Sequence, residues 1–289
     1  MWLRRTADGH YVTHTYGGMP RVADVRAADF DGDGKRDLLV AAFGWRKVGN
    51  IALMLNRTTD YAHPVFESTR IDGRTGTITV PPVDLNGDGR PDFIALISQQ
   101  HEQVIAFLNL PEGFKTETIY AAPHPNWGSS GMDVVDLDGD GDLDVLMAHG
   151  DSLDDGILKP YHGIEWLENR GAYPFVAHTL ATLPGVHPVK AVDLDGDGDL
   201  DVVAASFEPL ADPRETAAFP SVVWLEQTTR GRFVRHTLET GRPYHATLDA
   251  ADFDRDGDVD LAVGNLSPKQ EIPAWVELWS NQRLSKRVR

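Results

Sequence analysis

Cysteine is absent from the 289-residue chain. Disulfides, thiolate metal sites, a cysteine nucleophile and covalent c-type haem attachment are therefore excluded. Long apolar runs are absent too. No stretch of about 18 apolar residues occurs, so no membrane-spanning helix is expected. The opening residues MWLRRTADGH contain no apolar h-region, so no signal peptide is expected there. Positive charge is in short supply: the net charge is −17. Such a chain repels nucleic acid and anionic membranes, so neither is expected as a partner. Helical periodicity is also scarce. What remains is 41% hydrophobic, with aromatic and β-branched residues spread along the whole length, enough to bury a core.

The acidity is concentrated in a repeat. Asp29 begins DFDGDGKRD, Asp84 begins DLNGDGRPD, Asp136 and Asp193 each begin DLDGDGDLD, and Asp252 begins DFDRDGDVD. The intervals are 55, 52, 57 and 59 residues, which suits four short strands with their turns. A short alternating segment precedes each loop and supplies strand a. A buried-type run follows it as strand b: LLVAAF, FIALI, VLMA, VVAAS and LAVG. Strand c reads IALMLN, VIAFLN, GIEWLEN, SVVWLEQ and WVELWSN, and strand d reads FKTETI, FVAHTL and FVRHTL. The expected fold class is all-β: a β-propeller of four-stranded blades, five of them visible. It is either a closed five-blade ring or part of a larger one.

Trp2 lies 12 residues before His14, as Trp166 does before His178 and Trp224 before His236. The chain thus opens on strands c and d and ends on strand c at residues 276–281. Residues 9–16 are expected to supply the missing strand d of the last blade and protect its edge. The propeller is assigned to residues 1–283 and a basic tail to 284–289. His14, His178 and His236 recur at one strand-d position and read as inter-blade structural hydrogen-bonders.

The spacing D-x-[D/N]-x-D-G-x-x-D places oxygen donors for calcium, which takes six to eight. Side chains stand at loop positions 1, 3, 5 and 9 and a backbone carbonyl at position 7. The ligand sets are Asp29, Asp31, Asp33, Lys35 and Asp37; Asp84, Asn86, Asp88, Arg90 and Asp92; Asp136, Asp138, Asp140, Asp142 and Asp144; Asp193, Asp195, Asp197, Asp199 and Asp201; and Asp252, Asp254, Asp256, Asp258 and Asp260. Position 12 is apolar throughout, which excludes an EF-hand, so the ninth-position Asp is expected to close each site. Arg255 replaces the glycine of position 4, which carries no ligand. Single Asp-Gly runs are often mere polar turns; five in register between matching strands are not. About five Ca²⁺ are expected, one per loop, and five ions would bring the charge from −17 to −7.

On DFDGDGKRDLLVAAFG, DLDGDGDLDVVAASF, DFDRDGDVDLAVGN and their kin at Asp84 and Asp136, the chain resembles the FG-GAP/VCBS-repeat family, whose blades also occur in integrin alpha subunits. The resemblance covers essentially the whole chain and implies calcium binding and an extracellular or periplasmic location. The family's usual ring has seven blades, so this chain is either a small ring or part of a larger protein.

Ligand binding is expected on the face opposite the Asp loops, where the b–c and d–a loops lie. The b–c loops 150–163 and 207–220 are the longest, and long loops on rigid scaffolds commonly bind. The candidate residues are Trp45, His101, Trp127, His149, Tyr161, His162, His187, Tyr244 and His245, with His124 and the carboxylates Glu102, Asp151, Asp154, Asp155, Glu208 and Glu215 nearby. Scattered loop His and Trp also pack under turns without binding anything. No nucleophile elbow, P-loop or HExxH motif occurs. Three readings follow: a binding module for a glycan or extracellular protein, an enzyme such as a polysaccharide lyase or sugar dehydratase, and an architectural domain joined to other domains of a longer polypeptide.

Overall fold

The computed structural model describes residues 2–44, 48–153, 156–210, 212–268 and 271–282. Residues 1–97 with 106–116 form one compact unit, and residues 98–105 with 117–289 form a second. The fold is an all-β, five-bladed β-propeller of mostly four-stranded antiparallel sheets. The expected tail, residues 284–289, lies outside the described residues.

The chain opens on a hairpin of β1 (Trp2–Arg5) and β2 (Tyr11–His14), a two-stranded sheet. Trp2 faces His14 across it. The first blade is β3 (Val22–Ala28), β4 (Asp37–Ala42), β5 (Asn50–Asn56) and β6 (Phe66–Asp72). In the second, strand a is broken by Pro81 and Pro82 into β7 (Thr77–Thr79) and β8 (Pro82–Val83), because proline cannot donate to a ladder. β9 (Asp92–Ile97), β10 (Gln103–Leu110) and β11 (Gly113–Ala121) complete that sheet.

The third blade is β12 (Ser129–Val135), β13 (Asp144–His149), β14 (Gly163–Glu168) and β15 (Val176–Thr182). The fourth is β16 (Val186–Val192), β17 (Asp201–Ser206), β18 (Pro220–Thr229) and β19 (Arg232–Thr240). A one-turn helix, α1 (Pro213–Thr216), sits in its b–c loop, capped by the Asp212 side chain. The fifth blade holds β20 (His245–Ala251), β21 (Asp260–Asn265) and β22 (Val276–Trp279).

Among the described residues β2 pairs with β1, the strand c that precedes it, and the fifth blade's sheet holds three strands. One expectation changes here. The recurrent histidines are structural, but within a blade rather than between blades. His178 faces Trp166 and His236 faces Trp224 across the c–d ladder. Each Nε2 lies 2.7 Å from a carboxylate on its own strand c, Glu168 or Glu226.

Burial explains the sequence pattern. Strands b of the second, third and fourth blades are buried at every residue, because neighbours cover both faces; this is why they read as continuous apolar runs. Strands d are mostly exposed and alternate. The core is a series of layers between blades. Leu146, Ile164, Trp166, Val202 and Val223 fill one, and Val203, Val222, Leu261 and Val263 fill the next. In the first unit Phe93 and Phe107 stack at 4.4 Å, with Phe30 and Phe114 edge-on to Phe93. Phe30 and Leu137 occupy position 2 of their Asp loops and are buried, which is why an apolar residue stands between two aspartates there.

In every blade the a–b register shifts near the start of strand a, bending it where it enters the sheet. At Gly131 a side chain would collide with the His187 carbonyl, so β12 and β16 approach as closely as they do only because that residue is glycine.

Candidate metal centres and the opposite face

Each Asp loop folds around its own carboxylates. The position-1 side chain accepts from the backbone N–H of positions 5 and 6: Asp29 from Asp33 and Gly34 at 3.1 and 2.8 Å, Asp136 from Asp140 and Gly141 at 3.0 and 2.9 Å. Asp84, Asp193 and Asp252 repeat the pattern. Position 3 accepts from position 5, and position 5 from position 7, in all five loops. Left-handed residues at positions 4 and 6 turn the chain tightly enough for this.

Each bonded oxygen keeps a second lone pair, and these converge. Asp29, Asp31 and Asp33 bring one oxygen apiece within 4.8 Å of one another; so do Asp136, Asp138 and Asp144, then Asp193, Asp195 and Asp197, then Asp252, Asp254 and Asp260. Four triads can thus hold a metal ion. In the second loop, position 3 is the amide Asn86, beside the carboxylates Asp84 and Asp88. All-oxygen, multiply anionic donor sets suit a hard divalent cation. The position-7 side chains Lys35 and Arg90 turn back onto the position-5 carboxylates Asp33 and Asp88. Hydrogen bonds from the Lys35 and Arg90 backbone amides hold Asp33 and Asp88 below the usual carboxylate range.

The ninth-position Asp does more than close the loop. Asp37, Asp92, Asp144, Asp201 and Asp260 are all buried. One oxygen accepts from the position-2 amide and the other from the residue at the end of strand c: Asn56, Asn109, Asn169, Gln227 and Asn281. Burial pushes Asp144 up to about 6 and raises Asp92 and Asp201. A cation in the loop would reverse that tendency.

Sequence reasoning missed the role of those five strand-c amides. Asn109 Nδ2 donates to the Phe30 carbonyl at 2.9 Å, Gln227 Nε2 to Leu137 at 3.1 Å and Asn281 Nδ2 to Leu194 at 2.8 Å, each in the loop of the preceding blade. Asn or Gln does end every quoted strand-c motif, but its distance from the ninth-position Asp varies with loop length, which obscured the link.

On the opposite face the loops of the third blade bring Trp127, His149 and Tyr161 into one stack. Trp127 lies 4.4 Å from His149 on one face and 4.9 Å from Tyr161 on the other, nearly parallel to both. The Tyr161 hydroxyl donates to the Asn126 carbonyl at 2.8 Å. Both faces of Trp127 are thereby covered. His149 is only 1% exposed, with Nε2 3.5 Å from Glu165. His162 is equally buried, and Gly185 N–H points at its Nδ1 across 3.4 Å. His187 Nδ1 contacts the same glycine's carbonyl at 3.1 Å, and burial lowers its pKa.

Tyr244 and His245 belong to a separate buried network: His245 sits 2.6 Å from both Asn265 Oδ1 and Glu239 Oε2, and Arg242 Nε donates to the Tyr244 hydroxyl. His101 is half-buried beside Gln100. Glu102 is buried, accepts from Ser129 N–H at 2.9 Å, and is raised by desolvation to about 7. Glu208 is buried too, 2.6 Å from the Ser152 hydroxyl. Trp45, Asp154 and Asp155 lie outside the described residues. Of the candidate set, His101, Trp127, Tyr161 and His187 are half-buried, and the nearby His124 is exposed.

The FG-GAP-like repeat matches residues 29–95 and 84–147. No curated protein sequence matches the chain. Among solved structures, the Vibrio cholerae biofilm matrix protein Bap1 is 19% identical over 81% of this chain and 42% of its own, with a TM-score of 0.42. The rhamnogalacturonan lyase YesW is 13% identical over 96% of this chain and 51% of its own, TM-score 0.47. The Bacillus licheniformis rhamnogalacturonan lyase PL11 is 14% identical over 96% and 50%, TM-score 0.49. The chain spans about half the length of either lyase. Among the described residues no helix is long and apolar enough to cross a membrane.

Proposed function

From the match of residues 29–95 and 84–147 to the FG-GAP-like repeat, we propose that the chain is a calcium-stabilised β-propeller of that family serving as a binding module outside the cytoplasm. The observation that carries the calcium reading is the convergence of carboxylate oxygens in four loops of one geometry. Calcium bound there would neutralise clustered negative charge and tie the two ends of each loop together. Side chains at positions 1, 3, 5 and 9 would hold it, with the position-7 carbonyls of Lys35, Arg90, Asp142, Asp199 and Asp258.

The ligand is a glycan or an extracellular protein, met by the face opposite the Asp loops. Support for this lies in the third blade, where buried histidines and the Trp127 stack fix the loop and leave Tyr161 and His187 at its edge. The Trp127 faces are already used, so recognition rests on the Tyr161 edge and on polar groups such as Asp151 rather than on an open tryptophan platform. The test is a screen of immobilised glycans and secreted proteins with calcium present, repeated with Tyr161→Ala. Binding that is lost in the variant while its melting temperature holds supports the reading. Binding that survives Tyr161→Ala, or none in either screen, overturns it.

A further inference from the structure

We propose that Arg57 and Arg230 are built-in counter-ions that weaken calcium binding at the first and third Asp loops relative to the fifth. This rests on the calcium reading above and adds two classes of site to it.

The position-3 carboxylate meets a different partner in each of these loops. In the first, Arg57 Nη1 lies 2.6 Å from Asp31 Oδ2 and 3.8 Å from Asp33 Oδ2. Arg57 directly follows β5, and its Nε also reaches Glu67 at 3.4 Å. In the third, Arg230 Nη2 lies 3.0 Å from Asp138 Oδ2 and 3.4 Å from Asp140 Oδ2. Arg230 belongs to the turn between β18 and β19 of the next blade. The side chain it meets, Asp138, is 3% exposed, whereas Arg230 itself is 59% exposed. In the fifth loop the same position is Asp254, and its partner is the neutral hydroxyl of Ser280 at 3.0 Å. Among the described residues no lysine or arginine pairs with Asp252, Asp254 or Asp256.

A guanidinium on a ligand carboxylate acts in two ways. It cancels part of the repulsion between carboxylates when no ion is bound, so the loop keeps its shape at low calcium. It also repels an arriving divalent cation, or must be displaced by it. The fifth loop has neither effect and fills first. The first and third fill later and depend less on the ion for their fold.

The experiment is a calorimetric calcium titration of the chelator-stripped full chain, comparing wild type with Arg57→Gln, Arg230→Gln and the charge-keeping Arg230→Lys. Both arginines are substantially exposed, so the variants are expected to fold. The wild type should show at least two affinity classes. Each Gln variant should move one ion from the weak class to the tight one, by roughly tenfold or about 1.4 kcal/mol, and should melt lower than wild type in chelator. Arg230→Lys should keep the weak class. A Gln variant that binds calcium as the wild type does, or more weakly, overturns the counter-ion role and points to an arginine that orients its carboxylate for the ion. A wild type that binds no calcium overturns the calcium reading itself, and this inference with it.

Discussion

Arg255 holds a left-handed backbone, φ +66°, where the other four loops place Gly32, Gly87, Gly139 and Gly196 at φ between +69° and +74°. In sequence the position is silent, because it donates no ligand. In three dimensions it is the turn that lets position 1 reach the amides of positions 5 and 6. A non-glycine residue there stores about 1–3 kcal/mol of strain. Glycine would release that strain at an unfolded-state cost of roughly 0.5–1 kcal/mol. Arg255→Gly should therefore stabilise by about 1 kcal/mol, read as a higher melting temperature with calcium present. A lower one would mean that the arginine makes compensating contacts.

At the scale of elements, the unit of cohesion is the join between one blade and the next. Gln227 lies near the end of strand c of the fourth blade and is 2% exposed. Its side-chain nitrogen donates to Leu200 in its own loop at 2.8 Å and to Leu137 in the loop before. Truncation leaves two buried carbonyls without that donor, a penalty of about 1–3 kcal/mol. Gln227→Ala should lower stability in denaturant unfolding by that amount, whereas Thr228→Ala on the exposed neighbour should change it by less than about 0.5 kcal/mol. Equal effects would show that the amide bridge contributes nothing. The c–d pairs belong to this scale too. Their 12-residue spacing was legible in sequence and became Trp166↔His178 and Trp224↔His236. That each imidazole meets a carboxylate on the same blade, not the next, depended on which face of strand c carried Glu168 and Glu226.

At the scale of the whole molecule the charge of −17 is the governing quantity. Calcium bound in the loops, as proposed, would offset it by binding the folded state, which raises stability by mass action. In chelator the carboxylates repel, and salt screens that repulsion. Raising NaCl from about 0.05 M to about 0.5 M shortens the screening length from more than roughly 10 Å to about 4 Å. The melting temperature in EDTA should rise by several degrees over that range and by much less in saturating calcium. A salt response of equal size in both would separate the acidity from the stability of the apo chain.

What the sequence determined by itself was whatever repeats with a fixed local offset. Asp-Gly turns, buried strand-b runs and strand-c aromatics each need only a few neighbouring residues, and local chemistry specifies them wherever they occur. The five blades and the loop positions were therefore readable in one dimension. Tertiary structure decided what depends on residues far apart in the chain. It set Asn109, Gln227 and Asn281 against the loops of the preceding blades, and brought Arg230 onto Asp138 across 92 residues. It also turned the histidines of the opposite face inward: His149, His162 and His245 are at most 1% exposed, although loop position alone marked them as open to a ligand. The physical reason is burial. An imidazole in a loop is equally able to face water or to pack beneath an aromatic ring, and only the folded arrangement of the loops chooses between them.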